Sequence, residues 1–216
     1  MLRYPLVCFD LDGTLVNDTV YIWKTLHETL QTDQTARKNA SADYFSGEIS
    51  YREWFEHDLL LFKQVGATKD SLLEIIRTLS PMPGANELLA DLKRSGHILT
   101  IVSGSLDIVV DHLFGLELFD HVLINHIRFD DTGQIAGGAP TRYDLDGKAD
   151  GLKELARREN IALSHTLFIG DNDNDIWIAN AAGKAIAFNC KSDALRDVCD
   201  VEVTEKDLRA VRQHIY

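Results

Sequence analysis

At 216 residues, 45% of them hydrophobic, the chain can bury a full core as one domain, or as one domain with a sizeable insertion. Its composition excludes global disorder. A net charge of −12, from 22 Lys+Arg against 34 Asp+Glu, gives no basic field to hold a phosphate backbone and argues against a nucleic-acid partner.

The first apolar run, Leu6-Val7-Cys8, reads as a buried parallel strand. Residues 17 to 79 then read as a helical block with no convincing strand. Leu26 and Leu30, Trp54 and Phe55, and Leu72, Leu73, Ile75, Ile76 and Leu79 recur at roughly helical spacing. Pro81, Pro83 and Gly84 close the block. Strands and helices alternate from there. The pattern predicts a helix over 87–95 stopped by Gly96, a strand over 98–102, a helix over 105–114 and a strand over 121–124. A Gly-rich hairpin or flap follows over 128–138. Next come a helix over 149–159, a strand over 166–169, a helix over 173–182, a strand over 185–188 and a C-terminal helix over 205–214. The alternation predicts an α/β fold, a doubly wound parallel sheet, with a core domain of residues 1–16 and 80–216. Residues 17–79 would form a small helical cap over the carboxyl edge, where such sheets bind ligands.

Phe9-Asp10-Leu11-Asp12-Gly13-Thr14 follows the first strand. Two carboxylates at the end of a buried strand call for a partner. Mg²⁺ binds through one or two carboxylates plus substrate phosphate, and an aspartate can be the nucleophile of phosphoryl transfer. Three further places fall after expected strands. Val102-Ser103-Gly104-Ser105 offers hydroxyls and backbone N–H groups suited to a phosphate oxygen, although a serine there also serves as an N-cap. Lys148 could damp repulsion between a carboxylate nucleophile and a phosphoryl group, or simply be solvated. Gly170-Asp171-Asn172-Asp173-Asn174-Asp175 puts three carboxylates beside the same edge; Asp173 could also cap a helix.

The order Asp-x-Asp-Gly-Thr, Ser, Lys, Gly-Asp-x-x-x-Asp resembles the haloacid dehalogenase superfamily of phosphohydrolases, over nearly the whole chain. The resemblance implies Asp10 as nucleophile and metal ligand, and Asp12 as general acid/base with its backbone carbonyl on the metal. It implies Ser103, Gly104, Lys148 and Asn174 around the phosphate, and Asp171 and Asp175 at the metal site. Mg²⁺ is the implied cofactor and a small phosphorylated metabolite the implied partner. A phosphotransferase or mutase would share the aspartyl-phosphate, whereas a non-catalytic binding module would be expected to have lost Asp10 or Asp12.

Within the superfamily the chain is most similar to phosphoserine phosphatases, through Thr14-Leu15-Val16-Asn17, Pro83-Gly84-Ala85, Val102-Ser103-Gly104 and Asp107-Ile108. Two substrate-binding positions depart from that pattern. Thr19, beside Asp18, stands where the family has a glutamate for the substrate ammonium. Asp58 stands where it has an arginine for the substrate carboxylate. Arg52 lies six residues earlier, about one and two-thirds helical turns away, and is expected to point elsewhere. Phosphoserine remains the best single named substrate. The two departures lead to the expectation of an alcohol leaving group without an α-carboxylate. Trp23, Tyr51 and Trp54 are candidates for the cap pocket as well as for core, and Arg142 is a candidate substrate contact.

Three scattered cysteines, Cys8, Cys190 and Cys199, make neither a disulfide framework nor a Cys-x-x-Cys metal pair. No apolar run is long enough to span a membrane, and the N-terminus lacks a signal-peptide pattern. A cytoplasmic location and no membrane partner are expected.

Overall fold

The computed structural model describes residues 2–216. Leu6–Phe9 forms β1, completely buried. Val16–Asn17 (β2) follows, then four helices: α1 (Ile22–Thr29), α2 (Gln34–Ser46), α3 (Tyr51–Gln64) and α4 (Lys69–Ile76). Ser80–Pro81 (β3) returns antiparallel to β2, so a two-strand ribbon ties together the ends of the helical segment. Then come α5 (Ala85–Arg94), β4 (Ile98–Leu106), α6 (Asp107–Leu113), β5 (His121–Phe129) and β6 (Ile135–Ala139). The chain continues through α7 (Lys148–Arg158), β7 (Thr166–Gly170), α8 (Ile176–Ala181), β8 (Lys184–Phe188), α9 (Asp193–Val198) and β9 (Val201–Val203), and ends in a 3₁₀ segment, Leu208–His214.

Seven strands make one sheet in the order β6-β5-β4-β1-β7-β8-β9. All pairings are parallel except β5–β6, the expected hairpin at one edge. β1 is central, with Phe9 in register with Ile101 of β4 and Ile169 of β7. The carboxyl ends of these three strands therefore lie side by side, which brings residues 10, 103 and 171 to one edge. One face packs against α5 and α6 through residues such as Leu88, Leu92, Val109 and Val110; the other packs against α7 and α8 through Leu152, Leu155 and Ile178. Cys8 is wholly buried, as expected of a small core residue.

The helical segment is continuous with this core. Ile22, Leu26, Phe55, Leu59 and Phe62 join the cluster that contains Phe9 and Leu11. Capping is strong at α3, where Ser50 and Glu53 form a capping box, and at α2, where Asp33 accepts from two backbone N–H groups. The hairpin reaches the same segment, with Lys69 N donating to Gly133 O at 2.8 Å.

Several expected boundaries shift. β4 runs on through Ser103-Gly104-Ser105, so the expected helix begins only at Asp107. The expected helix over 173–182 opens as a 3₁₀ turn capped by Asn172, not Asp173. The C-terminal helix is 3₁₀ rather than α. Among the described residues no helix is long and apolar enough to cross a membrane.

Candidate active site

Asp10 leaves β1 with its N–H bonded to Ile169 O at 3.0 Å, which pins it to the neighbouring strand. Its carboxylate accepts from Lys148 Nζ at 2.8 Å, and the same ammonium reaches Asp175 Oδ1 at 2.7 Å. Lys148 is wholly buried at the first position of α7. Burial alone would favour its neutral form, but the Asp10, Asp175 and Asp144 carboxylates outweigh that and raise its pKa. It stays a cation.

Asp171 and Asp175 form the other wall. Asp175 Oδ2 accepts from Asp171 N at 3.0 Å, which closes the loop on itself. Carboxylate oxygens of Asp10, Asp171 and Asp175 all lie within 4.8 Å of one another. Burial, and then the charge of Asp10, push Asp171 up to about 8 and Asp175 up to about 6, against the opposing pull of Lys191 and Lys148. Crowded all-oxygen carboxylates that resist ionisation are a donor set for a hard divalent cation, and their geometry fits one. Gly13 keeps this space open. Its φ is +76°, and a β-carbon there would run into the Asp171 carboxylate.

Asp12 stands apart from that trio. Its Oδ2 accepts from Ile22 N at 2.7 Å and its Oδ1 from Ser105 Oγ at 2.9 Å. Burial pushes its carboxyl up to about 7; the Ile22 N–H opposes the shift and the Asp10 charge adds to it. A carboxyl raised this far can hold a proton near neutral pH.

Above this floor lies a cavity of about 400 Å³, reached by Asp10, Asp12, Ser103, Gly104, Asp171 and Asn174 from the sheet edge. Trp23, Tyr51, Trp54, Phe55 and Asp58 line it from the helical segment. Trp23 Nε1 donates to Gly104 O at 2.8 Å, so an indole from α1 fixes the strand end it covers. Gly104 has no room for a side chain, because Asp144 occupies that space. Asp144 in turn accepts from Tyr51 at 2.8 Å.

The structure brings together most of the residues singled out from the sequence, but not Thr19. Its hydroxyl lies 2.7 Å from Thr25 Oγ1, and it does not line the cavity. Asp18 is likewise occupied, accepting from Ser80 Oγ at 3.1 Å. Arg52 is exposed and faces Glu56, as its spacing from Asp58 suggested. Arg142 donates to Tyr143 at 2.5 Å and lies outside the main cavity. Four residues had no role of their own in the sequence reading, and two of them, Lys191 and Arg37, were not singled out at all. Thr14 donates to Asp171 Oδ1 at 3.2 Å, and Lys191 reaches Asp171 Oδ2 at 2.5 Å. Ser105 holds Asp12, and Arg37 enters the cavity from α2. Ser105 was readable from strand period two, which puts it on the face of Ser103. Lys191 follows β8 at the same sheet edge.

Residues 4–183 match the family model for haloacid dehalogenase-like hydrolases. The phosphoserine phosphatase of Methanocaldococcus jannaschii is 27% identical over 218 residues, covering 99% of this chain and 98% of that protein. The phosphoserine phosphatase of Archaeoglobus fulgidus is 30% identical over 94% of this chain, which spans 57% of its length. A solved phospho-aspartyl intermediate analogue of phosphoserine phosphatase superposes with a TM-score of 0.77 at 26% identity, covering 99% of both chains. A substrate-bound phosphoserine phosphatase complex superposes with 0.76 at 25% identity, again over 99% of both. With family model, relatives and sheet topology in agreement, the chain belongs to the haloacid dehalogenase-like hydrolases, as a phosphatase similar to the phosphoserine phosphatases.

Proposed function

We propose that the protein is a Mg²⁺-dependent phosphoserine phosphatase, with Asp10 as nucleophile and Asp12 as general acid and base. The reading rests above all on the contrast at the cavity floor. Asp10 is ion-paired to the buried Lys148, whereas Asp12, two residues on, is hydrogen-bonded and held near neutrality.

In the first step an Asp10 oxygen attacks phosphorus, and the bond from phosphorus to the serine oxygen breaks. Asp12 passes its proton to that oxygen, so the alcohol leaves neutral. In the second step ionised Asp12 takes a proton from water, whose oxygen attacks phosphorus as the bond from phosphorus to the Asp10 oxygen breaks. Phosphate leaves, and Asp10 and Asp12 return to their starting states. Lys148 holds the Asp10 carboxylate in place through its 2.8 Å contact, and Ser103, the Gly104 backbone and Asn174 carry phosphoryl oxygens. Asp10, Asp171 and Asp175 would hold Mg²⁺, which when bound neutralises charge between nucleophile and phosphate. Residues 17–79 act as a cap domain on a core of residues 1–16 and 80–216, excluding water until the alcohol has departed.

Phosphate release from a panel of small phosphomonoesters tests the reading, with wild type beside Asp10→Asn. The expected result is Mg²⁺-dependent release, with phosphoserine among the best esters and turnover abolished in Asp10→Asn. Undiminished release by Asp10→Asn would reject the assignment.

A further inference from the structure

Groups of opposite charge face the same cavity from the helical segment, and each keeps a buried polar atom without a hydrogen bond among the described residues. Arg37 lines it from α2, and its Nε is buried with no hydrogen-bond partner among the described residues. Asp58 lines it from α3 and is 4% exposed. Its Oδ1 lies 3.3 Å from His27 Nε2, but the two are not aligned as a hydrogen bond, and both atoms are left unsatisfied. Lys24, the other cap cation at the cavity, is 60% exposed and faces Glu28 at 3.9 Å.

A buried guanidinium N–H with no hydrogen bond, and a buried carboxylate whose one charged neighbour is the unaligned His27 ring, are costly unless a ligand adds a partner. They line the same cavity as the phosphate-handling groups, from the opposite side, so the ligand is the leaving group of the phosphoester. We infer that Arg37 and Asp58 together read a zwitterionic leaving group, Arg37 taking its carboxylate and Asp58 its ammonium. This rests on the phosphoserine reading and deepens it. It also moves recognition away from Thr19, and it changes the role of Asp58. At that position an arginine was expected for the carboxylate; here the arginine comes from a different helix. The expectation of a leaving group without an α-carboxylate came from Thr19 and Asp58 standing at the two family positions; Arg37 supplies a cation from elsewhere in the cavity lining.

The test compares kcat/KM for three esters. O-phosphoserine carries both groups, phosphoethanolamine only the ammonium, and 3-phosphohydroxypropionate only the carboxylate. Arg37→Met should reduce the preference for phosphoserine over phosphoethanolamine by about 10- to 100-fold, the worth of a charge-assisted contact, mostly through KM. Asp58→Asn should reduce the preference for phosphoserine over 3-phosphohydroxypropionate by a similar factor. Arg37→Lys should recover part of the first loss. Each readout is a ratio within one preparation, so partial misfolding cancels. Ratios within twofold of wild type in both variants overturn the inference while leaving the phosphatase reading intact. A wild type that hydrolyses none of the three esters overturns the phosphoserine reading and this inference with it.

Discussion

Replacing Lys148 with methionine removes the one cation that touches both Asp10 and Asp175. The side chain is wholly buried, with contacts of 2.8 and 2.7 Å to carboxylates that are themselves almost fully buried. Water cannot take its place. Breaking a buried pair by removing one partner costs about 3–5 kcal/mol, because a charge is left uncompensated. For a chain of this length each kcal/mol shifts the thermal midpoint by about 2–4 °C, so the loss should be about 6–20 °C. The assay is thermal unfolding of wild type and Lys148→Met in EDTA at pH 7.5, repeated with Mg²⁺ and again at pH 5. Mg²⁺ should stabilise the variant more than wild type, since it supplies charge to the same carboxylates. The deficit should also shrink at pH 5, where Asp175 and Asp171 take up protons. A loss below about 1 kcal/mol in EDTA would show that Lys148 does not compensate the cluster, and would refute the electrostatic account.

Asp12→Asn should slow hydrolysis of phosphoserine by about 10²- to 10⁴-fold, the usual worth of general acid catalysis. p-Nitrophenyl phosphate should suffer far less in the first step, because its leaving group needs no proton; equal first-step losses for both esters in single-turnover kinetics would count against Asp12 as the acid. The metal-free protein should lose stability as pH rises from 5 to 9. Asp171 and Asp175 have folded-state pKa values of about 8 and about 6, above their ordinary 3.8, so the stability tied to their protonated forms is lost as pH rises through those values. Saturating Mg²⁺ should flatten this slope in pH-dependent unfolding. Gly13→Ala should weaken metal binding measured by titration calorimetry, because the β-carbon and the positive φ both press on the Asp171 carboxylate; unchanged affinity would contradict the close approach.

Most of the sheet and the floor of the site were legible in the sequence. Apolar runs such as Leu6–Phe9 and Thr166–Ile169 are short, continuous and followed at once by acids, and parallel topology forces those acids to one edge. Ser103 to Ser105 misled because small polar residues after a strand look like a helix cap, whereas the strand continues past a shift in its pairing with β5. The β2–β3 ribbon has two residues per strand, too few for any periodic signal. Arg37 was invisible for a different reason. Only Ala40 is buried in α2, so nothing in the polar sequence Gln34–Ser46 separates an arginine facing a cavity from Lys38 in solvent. Which residues of the helical segment line the cavity depends on how its helices pack across the sheet edge, and that information is not local. The same holds for Thr19, whose hydroxyl meets that of Thr25 and which does not line the cavity.

The proposed mechanism turns on a phosphoryl group carried on Asp10. Acid quench during phosphoserine turnover, followed by peptide mass mapping, reads it directly. One added phosphoryl is expected on the peptide containing Asp10, enriched in Asp12→Asn if that variant slows hydrolysis of the intermediate more than its formation, and absent from Asp10→Asn. Turnover with no phosphorylated protein under conditions that trap acyl-phosphates, or with the group on another residue, would contradict it.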